Sequence, residues 1–181
     1  NNLGNAYLAA GKNEESIVLF KKAIEIKPNY ATAYYNLGIA YSNIGKKEDS
    51  IALFKKTIEI NPDNGTAYYS LGNTYNAIGK KEEAIASYKK TIEINPSHAE
   101  AYNNLGNIYQ EADMKEEAIS SYKKAIKINP EDAVTHNNLA VSYYYEKQYA
   151  LAIHHCDKAI EIGCRVNPEF LKLLEPFRQE R

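Results

Sequence analysis

The chain has 181 residues, 22 Lys plus Arg against 23 Asp plus Glu, and a formal net charge of −1. That balance speaks against a general nucleic-acid or membrane-surface binder, which needs a basic excess gathered on one face. No apolar run approaches the ~18 residues that cross a bilayer. With no nucleophile–base pair, phosphate-cradling glycine loop or metal-ligand spacing, neither catalysis, a cofactor nor a bound metal is expected.

A period organises the chain. Glycines stand at Gly4, Gly38, Gly72 and Gly106 and prolines at Pro28, Pro62, Pro96 and Pro130, each step being 34 residues. A fixed period of this length marks an array of supersecondary units, each buried only against its neighbours. The divisions are a truncated repeat over 1–30, repeats over 31–64, 65–98, 99–132 and 133–166, and a closing segment over 167–181. Asn1 falls on the fifth slot of the first repeat, so the sequence is expected to be a piece of a longer protein. With no signal peptide in view and only two cysteines, a reduced, cytoplasmic setting is expected.

The second repeat gives the pattern most clearly. Helix A is predicted over 31–43 and helix B over 47–60. Tyr34, Leu37, Gly38 and Tyr41 share one face of A, and Ser50, Ile51, Phe54, Thr57 and Ile58 one face of B. Gly45 ends helix A as a left-handed C-cap. Glu48 and Asp49 enter the first turn of B, where carboxylates suit the dipole, and Pro62 stops B. Asp63 or Asn64 can cap the next helix A. Asn64-Gly65-Thr66 also matches a glycosylation sequon, which a chain without a secretory signal has little use for. A mid-helix glycine at Gly4, Gly38, Gly72 and Gly106 implies close approach of A to B, opposite the small residues Ser16, Ser50, Ala84 and Ala118.

The fifth repeat drifts: Ala140 replaces the glycine, His136 the tyrosine, Cys156 the aromatic of helix B, and Cys164 the proline. Cys156 and Cys164 are expected in one helix with Cα atoms ~12 Å apart, too far for a disulfide. Asn167-Pro168 then opens a capping helix running to about Gln179, with Phe170, Leu173, Leu174 and Phe177 on one face and a break or kink at Pro176.

The markers Leu37-Gly38, Tyr41, Ser50, Phe54 and Pro62 recur as Leu71-Gly72, Tyr75, Ala84, Tyr88 and Pro96. They recur again as Leu105-Gly106, Tyr109, Ala118, Tyr122, Ala125 and Pro130. This pattern resembles the tetratricopeptide repeat (TPR) signature over nearly the whole chain. The resemblance implies an all-α, right-handed superhelical solenoid of helix–turn–helix repeats, closed by the C-terminal capping helix. It also implies that the A helices line a concave groove in which partners lie.

In that register, slot six of successive repeats reads Asn2, Asn36, Ser70, Asn104 and Asn138. Slot five reads Asn1, Tyr35, Tyr69, Asn103 and Asn137, and slot nine reads Asn5, Ile39, Asn73, Asn107 and Val141. Each amide offers both donors and an acceptor, so the ladder can grip the backbone of an extended peptide, and Tyr35, Tyr69, Tyr144 and Tyr145 can add apolar contact. The subgroup that clamps chaperone C-termini carries lysines and an arginine at such slots. They are absent here, so that ligand is not expected.

The expected function is therefore a non-catalytic scaffold for a protein or peptide segment, without nucleic acid, membrane or cofactor. Two alternatives stand beside it: self-assembly of the repeats into a homo-oligomer, and a substrate-presenting arm of a larger enzyme. His136, His154, His155, Cys156 and Asp157 invite a metal reading. Consecutive helical residues point about 100° apart, however, so 154–156 cannot converge on one ion, and the histidines are expected to be exposed. Tyr41, Tyr75, Tyr109, Tyr88 and Tyr122 are expected in the core, and the Lys pairs such as Lys55-Lys56 on a solvated outer face.

Overall fold

The computed structural model describes residues 1–178. Those residues form eleven α-helices and no strand, in two compact units that divide after Pro96. The first unit holds three helix pairs: α1 (Asn2–Ala9) with α2 (Asn13–Ile26), α3 (Ala31–Asn43) with α4 (Lys47–Ile60), and α5 (Gly65–Ala77) with α6 (Lys81–Ile94). The second holds α7 (Ala99–Glu111) with α8 (Lys115–Ile128), α9 (Ala133–Tyr145) with α10 (Tyr149–Ile162), and the closing helix α11 (Pro168–Arg178). Within each unit A and B of a repeat pack together, and B then packs on the next A, as in a solenoid of repeats. Gln179, to which the sequence reading carried the capping helix, lies with the last two positions outside the described residues.

Every A helix ends with the same pair of bonds. In the second repeat the Lys46 N–H donates to the Tyr41 carbonyl at 2.9 Å and the Gly45 N–H to that of Ser42 at 3.1 Å, with Gly45 at φ +80°. This is a Schellman closure. The fourth and fifth repeats keep it without glycine: Asp113 and Lys147 take φ 57° and 58°. Asn64 caps α5, its side chain accepting from the Ala67 N–H at 3.0 Å, and Asp132 caps α9.

The cores are narrow. In the first unit Phe20, Leu37, Phe54, Leu71, Tyr75 and Tyr88 are buried among small residues, with Ser16, Ser50, Thr57 and Thr91 fully so. Tyr41 departs from expectation, being half-buried beneath Lys21 and Lys46, whose Nζ atoms lie 5.8 and 5.6 Å from its ring. The glycine slot also differs. A Cβ on Gly38 would lie 2.7 Å from the Phe54 ring, and one on Gly72 2.7 Å from that of Tyr88. The glycine thus makes room for the large ring of helix B, and the small Ser50 and Ala84 pack elsewhere in the core.

Further corrections fall in the second unit. Helix α10 ends at Ile162, so Cys164 lies beyond it. There Gly163 (φ +109°) closes the helix, and the Cys164 N–H bonds the Ala159 carbonyl at 2.8 Å, doing what proline does in the earlier repeats. Both thiols are free, and burial pushes that of Cys156 up. Helix α11 runs through Pro176 to Arg178, because proline so near the end removes only one intrahelical bond. On its face Phe170 and Leu174 are buried, whereas Leu173 is 49% exposed.

The histidines are not simply exposed. His136 is buried and His155 half-buried; only His154 faces solvent. His136 Nε2 lies 3.1 Å from the Pro130 carbonyl, which only accepts, so Nε2 carries the proton. Its Nδ1 is in hydrogen-bond contact with His155 Nδ1 at 2.9 Å. Burial, with His136, His154 and Lys123 nearby, lowers the His155 pKa to about 4.

Candidate functional site

The candidate site is built on the A helices, and each unit carries its own part. In the first unit Asn2, Asn5 and Asn73 are exposed, while Tyr35, Asn36, Ile39, Tyr69 and Ser70 are half-buried. In the second, Asn103, Asn104, Asn107, Asn137, Asn138 and Val141 are all half-buried. The amides are not idle side chains awaiting a ligand, because they already link one repeat to the next.

Asn36 Nδ2 donates to Asn5 Oδ1 at 2.7 Å, joining the first two repeats, and Tyr35 Oη lies 3.2 Å from Ser70 Oγ, joining the second and third. Asn138 Nδ2 is shared between Asn107 Oδ1 at 3.0 Å and Asn103 Oδ1 at 3.3 Å. In the third and fourth repeats slot nine also binds the core tyrosines of helix B: Tyr88 Oη donates to Asn73 Oδ1 at 2.7 Å, and Tyr122 Oη to Asn107 Oδ1 at 2.8 Å. Burial raises the Tyr122 pKa, so its hydroxyl remains a donor. The rings of Tyr35 and Tyr69 lie tilted on Phe54 and Tyr88, with centroids 5.6 and 5.9 Å apart.

Tyr144 does not belong to this surface. Its ring meets those of Phe170 and Phe177 of α11 at 5.7 and 6.5 Å, so the capping helix occupies it, whereas Tyr145 stays 60% exposed. Residues not foreseen individually also contribute. Ser42, Lys47 and Thr74 join Ile39, Phe54, Ser70 and Asn73 around a concavity of about 160 Å³ in the first unit. Lys47 Nζ is anchored on the Ser42 carbonyl at 2.9 Å. In the second unit Ser142 Oγ donates to Gln110 Oε1 at 2.6 Å. The register would have shown Ser42 and Gln110, which share slot twelve; Lys47 sits on helix B and gave no such signal.

Among the described residues no group of three or more His, Cys, Asp or Glu could hold a metal ion, and no helix is long and apolar enough to cross a membrane.

A family model for the tetratricopeptide repeat matches residues 31–64, 99–132 and 133–162, more than half of the chain. A second such model matches 53–86, and one for the TPR repeat matches 4–45 and 72–113. No curated protein sequence matches. Among solved structures, the chain is similar to MamA, with 28% identity over 88% of this chain and 93% of that one and a TM-score of 0.82. YrrB, described as a TPR protein with an unusual peptide-binding site, is 25% identical over 98% of this chain and 89% of that one, with a TM-score of 0.76. PilF of Pseudomonas aeruginosa shares the fold at a TM-score of 0.88, with 21% identity over 99% of this chain and 83% of that one. The chain belongs to the tetratricopeptide repeat family.

Proposed function

We propose that this protein is an interaction scaffold whose A-helix faces hold an extended segment of a protein partner, without catalysing a reaction on it. The observation that carries the reading is the orientation of the ladder. Asn36 and Asn138 each donate Nδ2 to neighbouring asparagines, and among the described residues their Oδ1 atoms have no protein partner. Asn5, Asn103 and Asn107 spend Oδ1 and keep Nδ2. The ladder therefore presents acceptors for peptide N–H groups and donors for peptide carbonyls, already fixed in place by bonds between repeats. Pre-organised groups lose less entropy on binding than mobile ones. The similarity to YrrB, whose description names a peptide-binding site, supports the same class of partner.

Peptides selected from a random library on the wild-type protein test this. Against the combined Asn36→Ala, Asn104→Ala and Asn138→Ala variant, affinity should fall roughly ten-fold or more, since each lost amide contact costs ~0.5–1.5 kcal/mol. Lys55→Ala with Lys89→Ala on the B helices should change it little. The reverse pattern would move the ligand to the B helices and end the reading.

A further inference from the structure

The fourth repeat carries a charge reversal that the other repeats lack. At the slot held by Glu25, Glu59, Glu93 and Glu161 it has Lys127. In the second, third and fifth repeats that glutamate pairs with the lysine three residues before it: Lys56–Glu59 at 2.6 Å, Lys90–Glu93 at 2.7 Å and Lys158–Glu161 at 3.2 Å. Putting lysine there removes the partner and adds a second positive charge, so Lys123, Lys124 and Lys127 gather along α8. Lys124 rests over the Tyr102 ring at 5.6 Å. Lys123 and Lys127 form no ion pair among the described residues.

These three lysines edge a cavity of about 730 Å³ formed by α8 with α9 and α10, whose apolar lining is Ile119, Tyr143 and Leu151. Leu151 is 42% exposed. Of the two carboxylates that also reach the cavity, Glu146 is held by Lys115 at 3.2 Å, which leaves Glu116 as the only acid among the described lining residues to offset three cations. None of these residues belongs to the A-helix ladder.

We propose that this groove is a second docking surface, taking an acidic protein segment that sets carboxylates against Lys123 and Lys127 and an apolar side chain against Ile119 and Leu151. Charge complementarity speeds and selects the encounter, and the apolar floor supplies area to bury. A protein segment fits better than a nucleic acid. The Tyr143 ring is 5% exposed and stacked on His155, so it offers no face to a base, and Glu116 would repel a phosphate chain.

A fluorescein-labelled synthetic peptide of alternating glutamate and leucine, with blocked ends, is the probe, titrated into the whole chain and read by anisotropy. We expect saturable micromolar binding, with amide chemical-shift changes concentrated at Ile119, Gln148 and Leu151. Lys127→Glu, which restores the residue of the other repeats and so should fold, and Lys123→Glu should each weaken binding roughly ten-fold or more. Leu151→Ser should weaken it as well. Lys55→Glu, at the slot of Lys123 but in the second repeat, should leave it unchanged, as should Asn36→Ala, which touches only the ladder. Absence of binding at millimolar peptide, or binding indifferent to Lys127→Glu, would overturn the proposal. So would displacement of the peptide by a short oligothymidylate that binds more tightly, which would make the groove a nucleic-acid surface.

Discussion

A glycine on helix A faces an aromatic ring on helix B in each of the first four repeats, most tightly where a Cβ on Gly106 would lie 2.4 Å from the Tyr122 ring. The fifth repeat changes both partners, to Ala140 and Cys156, and both are fully buried. Size at one slot is thus exchanged for size at the other. Gly106→Ala should cost about 1–3 kcal/mol by overpacking, despite the better helix propensity of alanine. Tyr122→Cys should cost about 3 kcal/mol or more through the cavity it leaves. Their combination should be much less destabilising than the sum, and additive losses in urea denaturation would show that the two slots do not share this space. The left-handed positions make a second test. Lys147 holds φ 58° where the first three repeats have glycine, a conformation that strains any residue with a Cβ. Lys147→Gly should therefore stabilise by about 1 kcal/mol and raise Tm, and an unchanged or lower Tm would mean that Lys147 is not strained.

Between α9 and α10 the histidine pair makes stability depend on pH. His155 titrates at about 4 in the folded chain against 6.5 for an unperturbed histidine, so between those values the unfolded state binds more protons. The contribution is complete above pH 6.5 and is lost as pH falls towards 4. The groups facing the ring are His136 and Tyr143 from α9, His154 on its own helix and Lys123 from α8. Relative to His155→Gln, the wild type should lose denaturation midpoint through that window. A parallel response of the two proteins would show that His155 titrates normally. On the outer side of α10 an ion pair joins Arg178 Nη1 to Asp157 Oδ2 at 3.1 Å and ties α11 down beside the stacked Tyr149 and Phe177 rings.

At the scale of the whole molecule, stability is a sum of repeats and nearest-neighbour contacts. Ending the chain at Asn167 removes the cover that Phe170, Leu174 and Phe177 provide. It should expose Tyr144, Tyr149 and Ile153, whereas Ile160 is already 44% exposed. Hydrogen exchange should quicken over residues 133–162 and hardly change over 31–64. Uniform quickening would show that the array unfolds as one block.

What the sequence determined by itself was whatever repeats. Glycines and prolines at a constant 34-residue step bound the helices closely, and α3 and α4 span 31–43 and 47–60, in line with the expected bounds. Local rules sufficed, because caps and stops act within one turn. The same register identified the A-helix residues that form the candidate site. Only the tertiary structure decided what those residues already do. Asn36, Asn103, Asn107 and Asn138 bond across repeat boundaries and are half-buried, and Asn138→Ala should cost on the order of 1 kcal/mol even without a ligand. It also decided that the glycine slot faces a ring, that His136 is buried against His155, and that Tyr144 belongs to the cap. Each of these is a contact between residues far apart in the chain, and its distance depends on how side chains interlock, which a pattern of residue types does not specify.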